Sequence, residues 1–176
     1  MVNVVFFGRG GQGVKTIGHV LALAGFYDEL NVQAFPEYGP ERSGAPMKTF
    51  VKVSKGKIED QAPFSKADFV VVIDSSLLNL IRDNILSLGD NKTKFIFNAK
   101  SDVDVKNSKT INATQIALDV IGKDYSNVVM LGALIKESKL VSLSSLEKAL
   151  KEVFAKKPKA LELNLKAMNL GYKGLK

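Results

Sequence analysis

Apolar positions follow two spacings that alternate along the chain. Val2–Phe7 is a short continuous apolar run, the pattern of a strand buried on both faces. From Val14 to Leu30 the period lengthens: Val14, Ile17, Leu21, Ala24 and Gly25 share one side of a helix, which Asn31 ends. Val32–Phe35 is strand-like again, and Pro36 to Pro46 is a loop dense in Gly and Pro. Met47–Val53 alternates apolar and polar residues as a half-exposed strand does. Phe69–Ile73 predicts a second buried strand, with Asp74-Ser75-Ser76 as cap chemistry for a helix over Leu77–Leu88. Phe95–Phe97 is a further core strand, and Ile111 sits in a short strand before a helix over Thr114–Ile121. Val128–Lys136 reads as a helix interrupted by Gly132. Ser144-x-x-Glu147 has the spacing of a capping box, opening a helix with Leu146, Ala149, Leu150, Val153 and Phe154 on one face. Pro158 separates it from a last helix ending at Leu170, with Gly171-Tyr172-Lys173-Gly174 as a tail.

This alternation predicts an α/β protein with three layers, α/β/α, around a mostly parallel mixed sheet with helices on both faces. The half-polar Met47–Val53 is expected as an antiparallel edge strand. The 176 residues suit one domain over 1–176. In such sheets ligands sit outside the carboxyl ends of the strands. The loops after Phe7 and Phe35 and the Asp74–Ser76 segment would then share one rim.

Composition narrows the chemistry. There is no cysteine, so this chain can hold neither a disulfide nor a thiolate-ligated metal or iron–sulfur cluster. No apolar run approaches the ~20 residues of a membrane span, and Met1-Val2-Asn3 enters the first strand without a basic leader, so a cytoplasmic location and no membrane contact are expected. The net charge of +7 owes much to lysines 148, 151, 156, 157, 159, 166, 173 and 176, spread over helical pattern as a solvated face. Exposed aromatics are not interleaved with them, so nucleic acid is not an expected partner. His19, the one histidine, lies inside the first helix. Asp102 and Asp104 fall in a polar loop. No Ser/His/Asp arrangement and no metal-ligand spacing appears. Neither catalytic nor metal-binding residues are therefore assigned.

The remaining candidate is Gly8-Arg9-Gly10-Gly11-Gln12-Gly13, between the first strand and the first helix. Glycines allow close backbone approach, and N–H groups at a helix start favour an anion. The spelling also matches the dinucleotide fingerprint, whose second requirement is an acidic residue about 20 residues on. Glu37 falls near there, but behind Pro36 in a loop of unusual content. A stand-alone Rossmann-like dinucleotide-binding oxidoreductase is therefore the alternative reading.

That glycine loop, followed by Phe35-Pro36-Glu37-Tyr38-Gly39-Pro40-Glu41-Arg42-Ser43-Gly44-Ala45-Pro46, resembles the gamma subunits of 2-oxoacid:ferredoxin oxidoreductases, the pyruvate and 2-oxoisovalerate members above all. Asn127–Leu134 and the closing Asn164-x-x-Ala167 with Gly171-Tyr172 resemble later landmarks of that family. The resemblance implies a complex that oxidatively decarboxylates a 2-oxoacid to acyl-CoA and CO2 and reduces ferredoxin. It implies alpha, beta and delta partner subunits, with thiamine diphosphate between alpha and beta and iron–sulfur clusters in beta and delta. It places this chain at the coenzyme A edge of the active site, without catalytic residues of its own. On that reading Gly8, Arg9, Gly10, Gly11, Gln12 and Gly13, with Tyr38, Glu41, Arg42 and Ser43, face coenzyme A or a neighbouring subunit.

Overall fold

The computed structural model describes residues 1–37 and 44–175. Among the described residues six strands form one sheet: β1 (Val2–Arg9), β2 (Asn31–Glu37), β3 (Pro46–Ser54), β4 (Phe69–Val72), β5 (Lys94–Asn98) and β6 (Ser108–Ile111). Their spatial order is β2-β3-β1-β4-β5-β6. β3 runs antiparallel to both neighbours, while β1, β4, β5 and β6 are mutually parallel. In the same described residues six α-helices follow the predicted alternation: α1 (Val14–Tyr27), α2 (Leu78–Ser87), α3 (Ala113–Ile121), α4 (Ser126–Ser138), α5 (Leu143–Val153) and α6 (Pro158–Gly174). The expected three-layer architecture is present, with unequal outer layers. One face of the sheet, through Val4, Phe6, Val51, Val71 and Ile96, packs on α1 and α3–α6. The other, through Val5, Phe7, Phe50, Val70, Val72 and Phe97, is covered by α2 and by irregular chain that includes Phe64 and Ala67.

The antiparallel strand is not at the edge, where its half-polar pattern had placed it. β3 lies between β2 and β1, and β2 is the edge. Two of the three polar residues that suggested exposure, Thr49 and Lys52, are covered. Lys52 is 1% exposed, its Nζ donating to the Asp60 carbonyl at 2.7 Å above the Phe35 ring. Phe64 packs edge-on against Phe50 from the same covering segment. That segment has no periodic signal, so the sequence pattern read its underside as solvent.

Helix ends differ in three places. α1 stops three residues early because Glu29 takes φ 58 and the Leu30 N–H returns to the Gly25 carbonyl, closing the helix end. α5 is capped by Ser142 rather than Ser144: the Ser142 hydroxyl accepts from the Ser145 N–H, and Asp28 accepts from the N–H and hydroxyl of Ser142 and from the Ser145 hydroxyl. α6 runs through Gly171 to Gly174 with no tail, and α4 is continuous through Gly132. Those two glycines are where α4 and α6 touch. A Cβ on Gly132 would lie 2.1 Å from the Met168 carbonyl oxygen, and one on Gly171 2.0 Å from that of Val129.

Candidate functional site

Chain direction decides where a site can form. After β1 the chain crosses toward β2 and β3; after β4 it crosses the other way, to β5. The crevice between β1 and β4 is thus the point where strand order reverses, the usual ligand position in an open α/β sheet. The glycine loop and the Asp74 turn meet there, as their places after buried strands required.

Their meeting is closed by side chains. Asp74 caps a short 3-10 turn, Ser75–Leu77, with one carboxylate oxygen accepting from the N–H and hydroxyl of Ser76 at 3.0 and 2.5 Å. The other oxygen accepts from Arg9 Nε at 2.9 Å and from Gln12 Nε2 at 3.1 Å. Partial burial pushes the Asp74 carboxyl up, but the bonds from Ser76, Gln12 and Arg9 together outweigh it and hold the group below the ordinary carboxylate value. The other two Arg9 nitrogens donate to the Gly44 carbonyl at 3.1 Å and the Ser76 hydroxyl at 2.9 Å. Every guanidinium nitrogen therefore already has an internal acceptor.

Backbone groups of the loop divide into two sets. The Arg9 N–H donates to Gln12 Oε1, Gly10 N–H to the Ala45 carbonyl and Gln12 N–H to the Arg9 carbonyl. The N–H groups of Gly11 and Gly13 have no acceptor among the described residues. Gly13 is the residue before α1, in a left-handed conformation at φ 71, and no side chain caps that helix. A Cβ there would also come within 2.3 Å of the Asn127 side-chain amide of α4, so a larger residue would have to hold the left-handed backbone and displace Asn127. Beside the loop lies a polar recess of about 370 Å³, lined by Gln12, Asp74, Ser75, Asn98, Lys100 and Thr114 among others. Asn98 builds its floor: its Nδ2 donates to the Ile73 carbonyl and Thr114 Oγ1, and its Oδ1 accepts from the Thr114 N–H.

The structure thus brings Gly8 through Gly13 together on the rim. The remaining sequence-derived candidates, Tyr38, Glu41, Arg42 and Ser43, lie outside the described residues. Asp74 was legible as a helix cap on the expected rim but not as the partner of Arg9, and the recess residues Asn98, Lys100 and Thr114 were missed. One signal existed for Asn98, a polar residue ending a fully apolar strand. His19 is exposed on α1. Among the described residues no three His, Asp or Glu side chains cluster for a metal, and no helix is long and apolar enough to cross a membrane.

The family model for pyruvate ferredoxin/flavodoxin oxidoreductase matches residues 3–174. The chain belongs to this oxidoreductase family. The pyruvate synthase subunit PorC of Methanocaldococcus jannaschii is 38% identical over 173 residues, covering 98% of this chain and 96% of that protein. The gamma subunit common to the pyruvate/ketoisovalerate oxidoreductases of Pyrococcus furiosus is 37% identical, with 88% of each chain covered. Among solved structures, the pyruvate oxidoreductase subunit PORC of Thermotoga maritima superposes with a TM-score of 0.86 at 32% identity, over 99% of this chain and 97% of that one. The 2-oxoglutarate:ferredoxin oxidoreductase of Magnetococcus marinus, determined with 2-oxoglutarate, coenzyme A and succinyl-CoA bound, shares the fold at 24% identity and a TM-score of 0.80; this chain spans 30% of its length. As a member of the pyruvate ferredoxin/flavodoxin oxidoreductase family, the protein is of the gamma-subunit type, one component of a multi-subunit 2-oxoacid oxidoreductase.

Family membership and geometry agree in setting the dinucleotide alternative aside. A Rossmann site needs the acidic end of the second strand beside the glycine loop. In this family member β3 is inserted between β1 and β2, which moves that end two strand spacings away, about 10 Å. Glu37 is moreover paired with Lys48 at 3.0 Å.

Proposed function

We propose that this subunit forms the coenzyme A side of a thiamine-diphosphate-dependent 2-oxoacid:ferredoxin oxidoreductase and supplies none of the reacting groups. The observation that carries the reading is the end-to-end correspondence with free-standing gamma subunits. In this account alpha, beta and delta subunits complete the complex in the cytoplasm, and ferredoxin takes the electrons. Thiamine diphosphate sits between alpha and beta. A chain without cysteine leaves thiolate-held iron–sulfur clusters to its partners.

Coenzyme A suits the rim chemically. Its phosphates match an uncapped helix start at which the Gly11 and Gly13 N–H groups have no acceptor among the described residues, and Lys100 stands in the adjoining recess. Arg42, with Tyr38, Glu41 and Ser43, meets either the ligand or a partner subunit in this account. The Pyrococcus relative is a subunit common to two oxidoreductases. That sharing supports a division in which other subunits select the 2-oxoacid.

Co-expression with the three partner subunits tests the reading. The expected result is a brown assembly that reduces ferredoxin only with 2-oxoacid and coenzyme A together. In that assembly Arg42→Ala raises KM for coenzyme A if the side chain meets the ligand; unchanged KM with weaker assembly assigns Arg42 to docking. A partnerless monomer that binds NADH tightly would overturn the proposal.

A further inference from the structure

Arg9 had the features of an anion donor: a cation in a glycine loop at a helix start. Its contacts describe a different task. From its own loop the guanidinium reaches two pieces of chain far away in sequence: the Gly44 carbonyl ahead of β3, and Asp74 with Ser76 after β4. A second tie runs in parallel, from the Gly10 N–H to the Ala45 carbonyl at 2.9 Å. Gln12 completes the knot by accepting from the Arg9 N–H while donating to Asp74. Both charges are largely shielded, with 26% of the Arg9 and 20% of the Asp74 side-chain surface exposed. The Asp74 carboxylate accepts four hydrogen bonds, the full capacity of its two oxygens.

We infer that Arg9 is a positioning residue, a strut that with Asp74 fixes the glycine loop, the start of β3 and the β4 turn as one rigid rim. Its charge is cancelled internally, so the rim's attraction for an anion comes from backbone N–H groups and not from the guanidinium. For its effect on coenzyme A the inference rests on the function proposed above. A planar fork is required, since one cation must satisfy three separate acceptors at once. Lysine, a single point of charge, cannot replace it.

The experiment uses R9K, D74N and the double variant, each in the reconstituted complex, with amide hydrogen exchange read on the same preparations. The strut predicts that R9K and D74N each raise exchange of the bonded Arg9, Gly10 and Gln12 amides by about tenfold, the loss expected for a charge-assisted pair, and leave exchange in α4 and α6 unaltered. KM for coenzyme A rises by a similar factor in both, more than kcat changes. The double variant is no worse than either single one, because the two residues act as a unit. R9K with wild-type KM, together with D74N binding coenzyme A more tightly, would show a free guanidinium serving as the anion donor and overturn the inference. So would loosened exchange with unchanged KM, which would leave the pair a local contact only. If the wild-type complex shows no coenzyme A-dependent turnover, the functional proposal fails, while the exchange data still decide whether the strut exists.

Discussion

Replacing Gly132 or Gly171 by alanine puts helix propensity and helix packing in direct opposition. Propensity alone favours alanine by about 1 kcal/mol in a helix interior. Packing opposes it, because the atoms a Cβ would strike are backbone: the Met168 carbonyl oxygen at 2.1 Å and Tyr172 N at 2.9 Å for residue 132, the Val129 carbonyl oxygen at 2.0 Å for residue 171. Backbone cannot swing aside, so α4 and α6 must part by more than 1 Å to restore ordinary contact. A gap of that size forfeits roughly a quarter to a half of each contact it opens. Ala133, Ala167 and Met168 are fully buried on these helices and would share the loss. Overpacking typically costs about 1–3 kcal/mol, and immovable neighbours place these sites at the upper end. The net expectation is a loss of about 2 kcal/mol for each variant after the propensity gain. For a chain of this length that lowers Tm by roughly 4–8 °C. Thermal unfolding followed by circular dichroism measures it. Gly174→Ala is the control, since its Cβ would meet Ile111 Cδ1 at 3.4 Å and Ile116 Cδ1 at 3.9 Å, both ordinary contacts with side-chain ends, and its Tm should match the wild type or exceed it. A rise in Tm for both G132A and G171A would show that propensity governs and that the helix contact is slack.

Two further outcomes follow from buried and bonded charges. Lys52→Met should fold within about 1 kcal/mol of wild type, since an apolar side chain of similar size keeps the packing and removes the cost of a buried cation, and the Asp60 carboxylate it leaves is 75% exposed. Lys52→Ala instead leaves a void beside Phe35 and should cost about 2 kcal/mol or more; urea midpoints compare the two, and equal losses would mean the charge matters more than the volume. Acid lowers stability by a predictable sign. Burial raises Asp28, Asp74 and Glu137, but hydrogen bonds from Ser145 and Ser142, from Ser76, Gln12 and Arg9, and from Lys109 and Lys94 more than offset it, so all three carboxyls lie below their ordinary values. Their contribution is complete above the ordinary carboxylate range and fades as pH falls below about 4. D74N should flatten that acid limb, read as the urea midpoint at pH 7, 4.5 and 3; a limb as steep as wild type would remove Asp74 from the account.

Period and punctuation made the elements legible: the buried runs at Val2–Phe7 and Phe69–Ile73 and the spacing of α1 and α5 needed no tertiary information. The sheet order did not follow, because Lys48 and Lys52 carry the signature of a wet face, whereas an aperiodic segment hides Lys52. Gly132 and Gly171 carried the signature of breaks, and only the partner helix shows that they are contact points. At the site the glycine loop was visible from its spelling, yet the use of Arg9 was not. Its acceptor, Asp74, is 65 residues away, and local pattern contains nothing of a pairing at that range.

The double ladder of β3 has a consequence for the rim. Val2 to Arg9 are matched one for one with Val53 back to Pro46, and Asn31 to Glu37 with Ser54 back to Lys48. A slip of one residue would turn Lys52 toward α1 and Val51 and Val53 away from it, against both neighbours at once. The strand therefore works as a ruler: its zero is set by apolar residues deep in the sheet, and its far mark is Ala45, held opposite Gly10. An insertion or deletion anywhere along β3 would be felt as a misalignment of the rim, with every rim residue unchanged.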